Sequence, residues 1–334
     1  MSQTVRITTG ARLHFGLLDI AAPFGGCGVM IDRPGTTVEV VESSQFEFVQ
    51  DDGSVDHRER TWGIARRLAA GLGLDDDLPA VRVRIVQSAP PHTGLGSGTQ
   101  LSLAISEAML RVIQPDVWDS TSEPIALLHQ REMWFAAADR GRRSAVGTHG
   151  YLAGGFIAEG LAPSDPNSAL NAIDTRFELP GSWRVAILVP AADAAVKQAV
   201  SGDQEHANFA ALPPVSTARR ATLASLLMES LIPAIEHADF LAFCDAVTHY
   251  NRSSGELFAG VQGGAYNGET TTRLIKRLID AGNTGVGQSS WGPGVFVWHP
   301  NVDAADAFQR EWGRDGFHVI VTQPKPNGRL VETV

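Results

Sequence analysis

Pro90-Pro91-His92-Thr93-Gly94-Leu95-Gly96-Ser97-Gly98-Thr99-Gln100 is the stretch on which the reading of this chain turns. It follows Val81, Val83 and Ile85, which alternate with Arg82 and Arg84 in the period of a half-buried strand. It precedes Leu101, Ile105, Ala108 and Val112, whose spacing predicts an amphipathic helix starting near Thr99. Alternating glycines between a strand and a helix let the backbone turn tightly and approach a ligand. The helix start adds unpaired N–H groups and the positive end of a dipole. Gly94, Gly96, Ser97, Gly98, Thr99 and Gln100 are therefore the expected residues of an anion site. Ser97 or Thr99 is also the expected N-cap. No Gly-Lys-Ser/Thr follows, so this is not a P-loop, and the spacing does not match the dinucleotide fingerprint.

On the N-terminal side, Val5–Thr8 and Arg12–Ile20 read as separate strands leading to a glycine turn at Gly25-Gly26-Cys27-Gly28. Val38–Val41 and Phe46–Val49 read as a hairpin, and His57–Leu72 as a helix. A third helix is expected from Ile125 to about Arg140. Residues 161–182 hold three prolines and many small polar groups, which predicts a linker or exposed crossing. Beyond it come a strand at Arg184–Val189, helical stretches near 217–231 and 239–251, and a helix over Thr271–Ala281 closed by Gly282. Strands at Val295–Trp298 and Val319–Thr322 flank a helix at Ala304–Trp312. At 334 residues the chain is long for one core, and two α+β domains, over 1–165 and 180–330, are expected.

Composition narrows the function. Apolar residues make up 43% and charged residues 19%, the profile of a globular protein. No apolar run approaches the ~18 residues of a membrane span, and no secretory signal is read at the N terminus. Two cysteines, Cys27 and Cys244, allow no disulfide framework or multi-cysteine zinc site, so a reducing, cytoplasmic setting is expected. A net charge of −10 argues against broad nucleic-acid binding. Lysine occurs only at Lys197, Lys276 and Lys325, so a phosphate bound by the first half must be met by arginine or backbone.

The loop Pro90–Gln100 resembles the second motif of the GHMP superfamily, and its Gly-Thr-Gln ending resembles the β-ribofuranosylaminobenzene 5'-phosphate synthase family. Ala11-Arg12-Leu13-His14-Phe15-Gly16-Leu17-Leu18-Asp19 and the following Gly-Gly turn resemble the same family. So do Gly141-Arg142-Arg143-Ser144 leading to Gly154-Gly155-Phe156, and Gly285-Val286-Gly287-Gln288-Ser289-Ser290-Trp291-Gly292-Pro293. The resemblance implies an N-terminal domain like ribosomal protein S5 domain 2, a ferredoxin-like C-terminal domain and an active site between them. Kinases of the superfamily commonly place an Asp shortly before the Gly-Gly pair. Here Ser144–Tyr151 contains no carboxylate and no lysine, a deficit for phosphoryl transfer.

The family resemblance implies a transferase that joins phosphoribosyl pyrophosphate to a para-hydroxy- or para-aminobenzoate, releasing CO2 and pyrophosphate, on the pathway to methanopterin-type carriers. Mg²⁺ is the expected cofactor, because it commonly bridges phosphate oxygens. Under this reading His14 withdraws a proton from the para substituent. Asp19 faces the oxocarbenium ion, Arg12 binds phosphate, and Ser289 and Ser290 join the loop in binding substrate. From the residues alone, His14 and Asp19 remain open as hydrogen-bonding groups of a strand, and Ser289 and Ser290 as turn formers. A homodimer with small-molecule partners and neither nucleic acid nor membrane is expected. Two other functions stay in view: an ATP-dependent GHMP kinase and a non-catalytic dimer that binds a phosphorylated ligand.

Overall fold

The computed structural model describes residues 3–51, 53, 55–74, 77–115, 132–141, 144–162, 170–189, 207–315 and 317–334. In the first half β1 (Val5–Leu17) runs antiparallel to β2 (Gly26–Glu42). These are followed by β3 (Glu47–Gln50), α1 (Arg58–Leu72), β4 (Val81–Gln87), α2 (Ser97–Ile113), α3 (Val146–Ala153), β5 (Phe156–Glu159) and β6 (Ile173–Phe177). The sheet order is β1-β2-β4-β3, with β5 pairing β2 and β6 pairing β5.

Three features differ from the sequence expectations. The two N-terminal strands are one. Register shifts at Thr9/Ala11 and His14/Gly16 keep β1 paired through its irregular points, and a Cβ on Gly10 would lie 2.0 Å from the Ile31 carbonyl oxygen. β3 forms no hairpin with β2. Ser43 N–H donates to Ala80 O (2.9 Å), which carries the chain past the end of β4, and β3 then pairs with β4 in parallel. The expected linker contains β6, which pairs antiparallel with β5 and is held by Arg176 Nε donating to Ala153 O (3.1 Å). Residues 163–169 of that linker, 125–131 of the third helix, and Arg142 and Arg143 lie outside the described residues; 132–138 are helical.

The second half contains β7 (Arg184–Val189), α4 (Phe240–Gly255), α5 (Gly268–Asp280), β8 (Val286–Gln288), β9 (Val295–His299), α6 (Val302–Trp312) and β10 (His318–Thr322). Its antiparallel sheet runs β10-β7-β9-β8. The split βαβ order, with helices between first and second and between third and fourth strands, is the ferredoxin-like arrangement. The stretch read as one helix over 217–231 is α-helical over Thr217–Ser225 and continues as a π-helical turn over Leu226–Leu231. Finally β11 (Leu330–Thr333) returns to pair with β1. The result is a two-domain α+β fold whose second half is ferredoxin-like, as expected.

The two sheets share a core. Leu13 and Phe15 on one face of β1 are fully buried with Val185, Ile187, Phe243, Phe296 and Trp298 of the second half. The Phe15 ring lies 5.5 Å from Phe296 and 6.4 Å from Trp298. A separate core, built from Ile64, Leu68, Leu101 and Ile105 of α1 and α2, covers Val38, Val40, Val83 and Ile85. Polar staples reinforce the shared core. Asn251 Nδ2 on α4 donates to Phe15 O (2.7 Å) and Gln288 O (2.8 Å), and Gln288 N–H donates to Asn251 Oδ1 (2.9 Å). Ser254 Oγ donates to Leu17 O (2.8 Å) and Tyr250 Oη to Gly16 O (3.2 Å).

Removing a buried partner leaves its carbonyls desolvated, at about 1–3 kcal/mol for each unsatisfied group. Asn251→Ala is expected to lower unfolding free energy by roughly 2–4 kcal/mol, measured from urea midpoints at constant slope. A loss below about 0.5 kcal/mol would show that the bridge between β1 and β8 is not a major link.

Candidate active site

Arg12 and His14 stand two residues apart on β1, in a segment whose register with Met30 and Gly28 is regular, so both side chains leave the same face. Leu13 and Phe15 take the opposite face into the shared core. The polar pair opens on a cavity of about 710 Å³ between the two halves. The glycine loop, Ser144, Asn251 and the loop around Ser290 complete its walls. Backbone strain concentrates here. Among the described residues, five non-glycine residues have positive φ; Phe24 (54°), His92 (59°), Asp139 (53°) and Ser290 (54°) line the cavity, and Ala238 does not. Such conformations persist only where their surroundings enforce them, and they cluster at functional sites.

The loop lies where an anion site is expected, between β4 and α2. Gly94, Gly96, Ser97, Gly98 and Thr99 all line the cavity. Gly94 and Gly96 have φ of 80° and 68°. The N-cap is Gly96 without a side-chain hydrogen bond, so the expected capping by Ser97 or Thr99 does not occur. Their hydroxyls are not spent on the helix end. A Cβ on Gly94 would lie 2.1 Å from Ser289 O, so this glycine is needed for the two loops to touch. Gly98 makes room for a guanidinium: a Cβ there would lie 2.7 Å from Arg60 Nη1.

Arg60 projects from α1, and burial followed by the charge of Arg140 lowers its pKa to about 10. Among the described residues no carboxylate pairs with Arg60. Together with Arg12, which packs against Gly96, two further arginines thus surround the start of α2. An anion bound there would relieve their mutual repulsion. Arg140 directly precedes the Gly141-Arg142-Arg143 stretch in the sequence. Arg60 carries no local signal, because it sits on the polar face of a helix distant in the chain.

The other expected residues divide. Ser290 lines the cavity, and its N–H donates to His14 O (3.3 Å). Ser289 is fully buried: its Oγ donates to Gly94 O (2.8 Å) and accepts from His14 N–H (3.1 Å), fastening loop to strand. Gln100 is also buried, with Oε1 accepting from Thr9 Oγ1 (2.8 Å) and Nε2 donating to Gly147 O (2.9 Å). Neither Ser289 nor Gln100 is among the lining residues, and both act on the shape of the wall. Asp19 is a correction. It too is outside the lining; its Oδ1 accepts from Ile20 N–H (2.8 Å) and Ala21 N–H (3.1 Å) in a turn, and Oδ2 lies 3.5 Å from Arg220 Nη1. Asp19 stands two residues beyond the end of β1; Phe15, Gly16 and Leu17 still line the cavity, and the turn that follows spends the Asp19 carboxylate on backbone N–H groups.

His14 has partners that its sequence context did not reveal. Ser144 Oγ donates to Glu159 Oε1 (2.8 Å), and so accepts from His14 Nε2–H at 3.1 Å. This arrangement selects one ring tautomer and leaves Nδ1 as the basic nitrogen. The Glu159 carboxylate, fully buried, also accepts from Ala145 N–H (2.7 Å) and Val146 N–H (3.3 Å) at the start of α3. Burial raises its pKa against those hydrogen bonds. Burial, followed by the charge of Arg12, holds the His14 pKa well below its ordinary value, so the imidazole is neutral at neutral pH. Asp139 is the carboxylate among the described lining residues. No cluster of three His, Cys, Asp or Glu occurs among the described residues, and no described helix is long and apolar enough to cross a membrane.

Known proteins agree with this architecture. Residues 231–318 match the family model described as GHMP kinases C terminal. Over 315 residues, covering 87% of each chain, the protein is 29% identical to a beta-ribofuranosylphenol 5'-phosphate synthase of Methanothermobacter thermautotrophicus. A protein of the same description from Archaeoglobus fulgidus is 24% identical, with 98% of this chain and 99% of the relative covered. Among solved structures, homoserine kinase from Cytophaga hutchinsonii has a TM-score of 0.64 at 17% identity, covering 98% of this chain and 97% of that one. Mevalonate-3-kinase from Thermoplasma acidophilum has 0.60 at 12% identity, covering 99% of each. At these identities the kinases share the fold alone, whereas the synthases share sequence along nearly the whole length. These similarities, along nearly the whole chain for the synthases, support the GHMP superfamily and, within it, the β-ribofuranosylaminobenzene 5'-phosphate synthase family.

Proposed function

We propose that the protein is a decarboxylating phosphoribosyl transferase that joins phosphoribosyl pyrophosphate to para-hydroxybenzoate. The observation that carries this reading is a neutral histidine in a cavity beside a glycine loop with arginines gathered at the start of its helix. Full-length relatives whose name contains ribofuranosylphenol 5'-phosphate support it, and the phenol in that name favours the hydroxy acid over the amino acid. The absence of a carboxylate from Ser144–Tyr151 weighs against the kinase alternative.

In this reading the loop N–H groups, Arg12 and Arg140 receive the pyrophosphate, Arg60 behind Gly98 adds its charge, and together they stabilise the charge that grows as it leaves. The bond from the ribose anomeric carbon to pyrophosphate breaks, and its electron pair departs with the leaving group. The ring carbon bearing the carboxylate forms the new carbon–carbon bond, driven by His14 Nδ1 taking the para hydroxyl proton. The carboxylate then leaves as CO2, its bonding pair restoring the aromatic ring, and the proton returns to the phenol oxygen. Ser144 and Glu159 hold the tautomer of His14. Mg²⁺ would suit this wall with pyrophosphate as its ligand, since Mg²⁺ needs only one or two protein carboxylates beside substrate phosphates. Asp139 would hold it, and the metal would supply charge neutralisation.

The wild-type protein is expected to release labelled CO2 from carboxyl-labelled para-hydroxybenzoate in equal amount with pyrophosphate, only when phosphoribosyl pyrophosphate and Mg²⁺ are present. His14→Ala should lower that rate by about 10²–10⁴ while phosphoribosyl pyrophosphate binding persists; a wild-type rate in the variant would remove His14 from the chemistry. Gly98→Ala, which displaces the Arg60 guanidinium, and Arg60→Gln should each weaken pyrophosphate binding by roughly 1–3 kcal/mol in calorimetry, with little change in thermal midpoint. Unchanged affinity in both would place the anion elsewhere. Because a histidine with a lowered pKa takes its proton only below its ordinary 6.5, the acid limb of kcat/KM should lie below pH 6.5. Arg12→Leu removes the smaller cause, so the limb should move upward without reaching 6.5, since burial remains. A wild-type limb at or above 6.5 would contradict a buried, neutral base.

A further inference from the structure

Four aromatic side chains from four separated segments meet on the cavity wall: Phe24, Phe209, Phe258 and Trp291. Phe209 is the hub, with ring centroids 5.9 Å from Phe24, 5.5 Å from Phe258 and 5.9 Å from Trp291. Phe258 and Trp291 are 4.8 Å apart. The interplanar angles are 89°, 83°, 81° and 68°, so each contact is edge to face. All four rings are half-buried, and none belongs to the buried cores of the fold. They are therefore not the interior of either half, and their open surfaces face the cavity.

Their attachment ties them to the chemistry. Trp291 follows Ser290, whose N–H donates to His14 O, and Asn267 Nδ2 donates to Trp291 O (2.8 Å). The same loop meets Gly94 through Ser289. Phe24 and Ser290 both carry positive φ, so two of the four segments hold a strained backbone at the cavity. For a residue as bulky as Phe this is costly, and it persists because the surrounding contacts enforce it.

We propose that these four rings form the subsite for the aromatic acid, an assignment that rests on the transferase reading and names where its acceptor binds. The cavity then has two ends of opposite character: arginines and N–H groups for the ribose pyrophosphate, and rings for the acceptor. An aromatic ligand completes the edge-to-face cluster, and such pairs favour a ring over an aliphatic group of the same area. The rings supply no cation. A benzoate carboxylate set against them loses hydration without gaining an ion pair, which favours its departure as neutral CO2 over its retention.

The test is titration of para-hydroxybenzoate into the full-length protein in the presence of pyrophosphate, followed by tryptophan fluorescence and calorimetry. Saturable quenching is expected in the wild type and should vanish in Trp291→Phe, which keeps a ring and should bind within about threefold. Phe209→Leu and Phe258→Leu keep apolar volume without the ring, so each should weaken the acid by about 3- to 10-fold with pyrophosphate affinity and thermal midpoint unchanged. Wild-type acid affinity in both leucine variants would overturn the proposal. So would saturable quenching by adenosine but not by the acid, which would give the rings to a purine. If the acid binds as expected but no CO2 is released, the transferase reading fails and the subsite stands. If both leucine variants turn over with wild-type KM, the subsite fails and the transferase reading stands.

Discussion

The fold and the site both depend on how the end of β1 is held. Its side chains bind the two halves through Leu13 and Phe15, and its carbonyls are claimed one after another by α4. Asn251 is central, because one amide satisfies the backbone of β1 and of β8 together. A buried carbonyl left unpaired costs more than the bond contributes when made, so the arrangement resists sliding of one sheet against the other. With β1 immobile, Arg12 and His14 keep their direction. Ser289 extends the same logic to the glycine loop, since one hydroxyl accepts from the His14 N–H and donates to Gly94 O.

The electrostatics of the cavity follow from that rigidity. Arg60 lies near the glycine loop, and burial first, then repulsion from Arg140, lowers its pKa. The same positive field adds to burial in keeping His14 neutral. One arrangement therefore sets positive charge and a neutral imidazole side by side. Glu159 contributes without adding a charge to the open cavity, because it lies beneath Ser144 and its Oε1 accepts from Ser144 and the start of α3. Its carboxylate also complements the positive end of that helix.

Homoserine and mevalonate-3-kinases share this architecture at 17% and 12% identity. The scaffold supplies a cleft and a glycine loop, and the reaction is decided by the side chains placed around them. In this chain the segment before Gly154-Gly155 presents Ser144 instead of a carboxylate, and Ser144 serves a histidine on β1.

The sequence by itself determined what depends on neighbours in the chain. Alternation marked β4, the apolar stripe marked α2, and Gly94 and Gly96 marked the loop between them, because each rests on local periodicity or on φ that only glycine tolerates cheaply. Arg12 and His14 were also legible, since their shared face needs only a regular strand. Tertiary structure decided everything that depends on distant partners. It left Asp19 in a turn beyond β1 and outside the cavity lining, turned Ser289 and Gln100 into buried braces, and brought in Arg60, Ser144 and Glu159. It also joined β3 to β4 instead of β2. None of these carries a local pattern, because strand pairing and side-chain encounters across tens or hundreds of residues are set by packing of the whole chain, and packing leaves no period in the sequence.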